Sequence, residues 1–157
     1  MLKPLALAAL LLAGGAPAAQ AQWTSGFGQG TNEASVRNGS GASLIIACPE
    51  GRPDRAPSLF LESTRLGRAA ENGEVNVVVD GSAYSLTLRG GAFRATNRAD
   101  SGTLTALVDA LRAARGGSFT VQVAPSGPKE TFPLRGARTA LTHPNGRSIL
   151  AGCAGAA

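Results

Sequence analysis

The strongest alternation of apolar and polar residues lies at 74–89, EVNVVVDGSAYSLTLR, where two β-forming runs flank Asp80-Gly81. Asp-Gly suits a two-residue type I′ turn, because both central residues of that turn need positive φ. With this turn Val79 faces Ser82, Val77 faces Tyr84 and Val75 faces Leu86, so the large apolar side chains of both strands share one side. Asn76 then faces Ser85, Val78 faces Ala83 and Glu74 faces Thr87 on the other. A slip of one residue would set Val77 against Ser85 and mix the two sides, so a single register leaves one face to bury and one to wet. The stretch predicts a hairpin at the centre of an antiparallel sheet.

Elsewhere the apolar runs are shorter. Residues 22–41 are rich in Gly, Ser, Asn and Thr, with Trp23 and Phe27 as the large side chains, and a first strand is expected only at 34–37. The run SLIIAC at 43–48, ended by Pro49, is too short for a buried helix and β-branched enough for a strand covered on both faces. An exposed loop follows at 50–57, then a strand at 58–62, SLFLE, a polar linker at 64–73 and, past the hairpin, a strand at 92–96. At 103–115, TLTALVDALRAAR, the period changes: Leu104, Leu107, Val108 and Leu111 fall on one helical face. Asp100 or Ser101 would cap the start of this helix, Arg112 and Arg115 suit its negative end, and Gly116-Gly117 would stop it. Residues 118–124 alternate as a half-buried strand, 130–134 return as its partner with Pro133 marking an edge, and 135–142 hold a short helix. The sum is about seven or eight short strands in an α+β fold. It is expected as an antiparallel β-rich sheet or sandwich with one long and one short helix in the C-terminal half.

Composition adds a compartment. Residues 1–21 read as a signal peptide: Lys3 before an apolar stretch, then Ala19-Gln20-Ala21 as a cleavage site. Residues 22–157 would form a single disulfide-clamped β-rich domain, periplasmic or secreted, and no later segment approaches the ~20 apolar residues of a transmembrane helix. The two cysteines, Cys48 and Cys153, allow one intramolecular pairing, and in an exported chain that pairing is expected as a disulfide. Beyond Lys3 the basic residues are thirteen arginines and one lysine against ten acids, a modest excess that reads as solvated surface. Nucleic acid is not an expected partner outside the cytoplasm.

Candidate chemistry is sparse. The single histidine, His143, sits in THPNG, a turn context without companions, and would pair with Cys153 in a dyad only if the disulfide were absent. With the cysteines paired, the ligand spacing of a zinc site is missing, and no cofactor is expected. GFGQG at 26–30 lacks the strand before and the helix after that give a nucleotide loop its meaning, and there is no G-x-S-x-G elbow. Scattered carboxylates such as Glu50, Asp54, Glu62, Asp109 and Glu130 leave a carboxylate-dependent hydrolase as an alternative, should the fold bring two together. Arginines recur in pairs three residues apart, among them Arg112, Arg115, Arg135 and Arg138, which are the candidate partner-binding residues and would also suit an anionic ligand.

The run LVDALRAARGGSFTVQVAPSGPKETFPLRGARTAL, together with SLIIACPEG, SLFLE and Cys153, resembles the bacterial periplasmic type VI secretion associated accessory family. The invasion-associated locus B family has a similar ending and carries further cysteines that this chain lacks. Matched positions include Cys48, Phe132, Leu134, Gly136, Ala140, Leu141 and Cys153. The resemblance implies a periplasmic β-rich accessory protein that is not an enzyme. The expected function is therefore that of an exported, non-enzymatic binding or accessory protein of the cell envelope, with an envelope protein as partner.

Overall fold

A computed structural model describes residues 21–52 and 54–153, so the expected leader falls outside the described residues up to Ala21. The central hairpin forms as the alternation requires. Strands β5 (Asn72–Val79) and β6 (Ser82–Arg89) pair with Val77 opposite Tyr84 and Val75 opposite Leu86. Asp80 and Gly81 adopt φ of 46° and 85° between them. Val75, Val77, Val79, Leu86 and Leu88 are buried, whereas Ser85, Thr87 and Arg89 are exposed.

This hairpin is the middle of one nine-stranded antiparallel sheet rather than one half of a sandwich. Its order is β1-β2-β3-β4-β7-β6-β5-β8-β9. The other strands are β1 (Thr24–Gly28), β2 (Thr31–Arg37), β3 (Ser43–Pro49), β4 (Ser58–Glu62), β7 (Ala92–Arg94), β8 (Ser118–Val123) and β9 (Lys129–Pro133). The sheet is strongly curled, so that its first strands reach its last. Trp23 donates its backbone N–H to Arg135 O at 2.9 Å and its indole Nε1–H to Pro133 O at 3.0 Å. Its ring lies 6.1 Å from that of Phe119, which stacks at 5.3 Å on Phe132.

Inside the curl lies the long helix α2 (Arg98–Ala113), whose Leu104, Leu107, Val108 and Leu111 are buried as their spacing demands. It starts five residues earlier than the apolar pattern, because the cap is Asn97, whose side chain accepts from Asp100 N–H at 2.9 Å. The first turn, Arg98-Ala99-Asp100-Ser101, has no large apolar side chain and so carries no periodic signal. Helix α3 (Ala137–Ala140) is the expected short helix, and a 3-10 turn, Ile149–Gly152, leads to Cys153.

Two elements depart from expectation. The polar lead holds a full extra strand, β1, and the linker at 64–73 holds a one-turn helix, α1 (Arg68–Glu71). GFGQG is thus strand and turn, with Gln29 and Gly30 at φ 51° and 75°. Pro133 does stand on an edge strand, and SLIIAC is covered on both sides except for the half-buried Ile45.

Candidate functional site

The chemically capable residues gather at opposite ends of β2 and β3. At one end Cys48 and Cys153 form the expected disulfide across 105 residues, with Cα atoms 5.4 Å apart. Cys48 lies opposite Asn32 of β2, and the next exit residue, Glu50, bridges to Cys153 through the backbone. The turn that carries His143 folds back here: Nε2 stands 3.3 Å from Glu50 Oε1, while the backbone N–H donates to Arg147 O at 2.8 Å. The imidazole therefore faces a carboxylate, and a Cys-His dyad is excluded because both sulfurs are joined to each other. This cluster closes the C-terminal segment onto β3.

At the other end a carboxylate is buried. Glu130, 3% exposed, projects from β9 on the same side as Phe132. It accepts from Ser63 Oγ at 2.8 Å, Ser40 Oγ at 2.9 Å and Asn38 Nδ2 at 2.9 Å, with Arg65 Nε at 3.7 Å. Burial pushes its pKa up, but the hydrogen bonds from Ser63, Ser40 and Asn38 and the Arg65 charge outweigh it and hold the carboxyl below the usual glutamate range. Asn38 Nδ2 also donates to Thr131 O at 3.1 Å, so the amide of Asn38-Gly39-Ser40 is committed to joining β2 with β9. Nothing in the sequence marked Glu130 apart from the other acids; its burial follows from alternation with Phe132 in an edge strand that curls back to β2.

Five further acids also have a side-chain or backbone partner, though none of them is buried. Asp80 accepts from Arg115 N–H at 3.0 Å, Asp100 from Asn97 Nδ2 at 2.7 Å, and Glu62 from Ser43 Oγ at 3.2 Å. Asp109 pairs with Arg112 at 3.1 Å and Asp54 with Arg52 at 3.3 Å. Among the described residues no group of three or more His, Cys, Asp and Glu could hold a metal ion.

Of the candidate arginines, two are brought together. Arg112 Nε donates to Thr142 Oγ1 at 3.2 Å, and the same hydroxyl donates to Arg138 O at 2.6 Å. Arg115 leaves α2 beside the Asp80 turn, and Arg135 lies where β9 meets Trp23. Beside the first turns of α2 a polar depression of about 580 Å³ is lined by Ser85, Thr87, Arg89, Arg94, Asn97 and Asp100, groups of both signs. A second groove of about 610 Å³ runs along the open edge of the sheet by Phe27, Glu33 and Arg55. No helix among the described residues is long and apolar enough to cross a membrane.

Fold and site together define an α+β protein, mostly β, in which the Cys48–Cys153 bridge and the Asn38–Glu130 bond join distant parts of a curled sheet. The chain belongs to the YfjT family, whose model matches residues 21–141. No curated protein matches the chain, and no solved structure does.

Proposed function

We propose that this protein is an exported, non-enzymatic accessory protein of the bacterial cell envelope, acting in the periplasm by binding another envelope protein. The observation that carries the reading is the Cys48–Cys153 bridge. Disulfides persist in oxidising compartments, and this one joins a central part of the sheet to the last described residues. The leader-like composition of residues 1–21 supports the same compartment. The non-enzymatic part is supported by how the acid-base groups are used: Glu130 is enclosed by hydrogen bonds, and His143, Asp80 and Asp109 are each held by a partner. A role beside a secretion system is the finer form of the proposal, supported by the resemblance of the strand-Cys-strand start and helix-strand-strand-helix ending.

Two measurements test it. Thiol trapping followed by mass spectrometry on the native periplasmic fraction should find both sulfurs oxidised; recovery of the free thiols would overturn the reading. Crosslinking in intact cells with this chain as bait should recover one envelope protein reproducibly. Recovery of only the abundant proteins seen with an unrelated periplasmic bait would sink the binding role.

A further inference from the structure

Among the described residues the curl leaves one edge of the sheet open. Even-numbered residues of β2 bond to β3, since Asn38 N–H donates to Ala42 O at 3.0 Å and Glu50 N–H to Gly30 O at 2.9 Å at the two ends of that ladder. The odd-numbered residues therefore bond to Thr24, Gly26 and Gly28 of β1. The N–H and C=O groups of Trp23, Ser25 and Phe27 consequently point away from the sheet. Arg135 O takes the Trp23 N–H, and every residue from Thr24 to Gly28 is exposed.

This edge carries none of the usual protection. The opposite edge, β9, bears Lys129 and Pro133, whereas β1 has no charge and no proline. Phe27, 66% exposed, is the one exposed large hydrophobic side chain among the described residues. Gly26 and Gly28 are also unexplained by the chain itself. Neither has positive φ, and a Cβ on either would meet nothing within 4 Å. Glycine inside a strand weakens it, and its frequent use is to let another backbone come close.

We propose that β1 pairs antiparallel with β1 of a second copy, about a twofold axis through Gly26. Ser25 of each copy then faces Phe27 of the other, and the outward groups of both residues form four N–H···O bonds with none left over. Gly26 faces its own counterpart in a non-hydrogen-bonded pair, where Cα atoms approach to ~4.5 Å and identical side chains would otherwise meet. Each Phe27 covers Ser25 of the other copy, and no like charges face each other across the axis. Trp23, whose N–H is already taken by Arg135 O, lies outside this pairing, and the outward groups of Ser25 and Phe27 are symmetric about Gly26, as pairing with a second copy needs. A five-residue strand pair buries less than the ~1,200 Å² of a stable interface, so the dimer is weak and concentration-dependent.

Sedimentation equilibrium of the disulfide-intact protein should show a reversible doubling of mass as concentration rises. Ser25→Pro deletes two of the four bonds and leaves the β2 ladder whole, so association should weaken about thirtyfold, at roughly fivefold per bond. Gly26→Glu and Gly26→Lys place like charges face to face across the axis, and a Cβ at Gly26 meets nothing within 4 Å in its own copy. Within each copy the new side chain stands opposite Glu33 of β2, which repels the glutamate and attracts the lysine, so Gly26→Glu is the stronger block. Each variant alone should stay monomeric with an unchanged circular dichroism spectrum, and a mixture of the two should dimerise. A wild-type protein that stays monomeric up to its solubility limit overturns the proposal. So does a dimer indifferent to Ser25→Pro, or a mixture that fails to associate, since either would put the contact elsewhere.

Discussion

Two of the hairpins in this chain share a turn and differ in their surroundings. Gln29-Gly30 and Asp80-Gly81 both place two consecutive residues at positive φ, at 51° and 75° in the first and 46° and 85° in the second. The central hairpin has a neighbouring strand on each side and buries Val75, Val77 and Leu86 beneath it. The outer hairpin has β3 on one side and an open edge on the other, and its first strand is exposed throughout. Turn geometry is thus a local property, whereas what a hairpin contributes to stability depends on what it covers. The outer hairpin holds its place through distant anchors: Trp23 on Pro133 and Arg135, and Asn38 on Glu130.

The comparison is broken most strongly in the core. Leu86→Ala should cost about 3–5 kcal/mol in urea unfolding, because a fully buried leucine leaves a cavity beneath the sheet. Phe27→Ala, in the exposed outer strand, should change stability by less than about 0.5 kcal/mol.

Joint replacement of Cys48 and Cys153 by alanine should cost about 2–4 kcal/mol, since the bridge closes a long loop in the unfolded chain. Because Cys48 lies opposite Asn32, amide exchange should accelerate first in β2, with β5 and β6 protected until global unfolding.

Glu130→Gln should destabilise by about 1–3 kcal/mol at neutral pH, through loss of charge-assisted bonds to Ser63, Ser40 and Asn38. The folded-state pKa lies below the ordinary 4.5, so this stabilisation is present above that value and is lost as pH falls through the folded pKa. The wild-type protein should therefore lose stability in that acid range by more than Glu130→Gln does. Equal acid sensitivity of the two proteins would assign the loss to other carboxylates.

Substitutions in the two turns sharpen the comparison directly. Gly30→Ala and Gly81→Ala force a side chain into the left-handed region at φ 75° and 85°, a cost of about 1–2 kcal/mol that is local to the turn. Global unfolding should register the full cost for Gly81→Ala. For Gly30→Ala it should register less if β1 detaches below the global transition, which hydrogen exchange at Gly26 and Gly28 would reveal.

How much could be read from the residues alone follows the same division. The hairpin at 74–89 was legible to the residue because its turn dipeptide and its alternation agree. The helical face of Leu104, Leu107, Val108 and Leu111 was legible because a period of 3.6 needs no partner to be seen. Strand β1 was not, since TSGFG has no apolar alternation and Thr24 as its one β-branched residue, and it pairs because β2 lies beside it. Helix α1 is a single turn held against β4 and β5, below the length at which a pattern can show. The disulfide could be anticipated because two cysteines have one pairing. Glu130 could not, since any of the acids might have been the one enclosed.

Local chemistry thus determined the turns, the long helix and most strand faces, because backbone dihedral preference and side-chain period act over a few neighbouring residues. The curl of the sheet was decided only in three dimensions. It brings Trp23 to Pro133, Asn38 to Glu130 and Cys153 to Cys48, and it leaves Ser25 and Phe27 on an open rim. Those contacts join residues about a hundred positions apart, where closure depends on the summed twist of nine strands and on the volume of the helix they enclose.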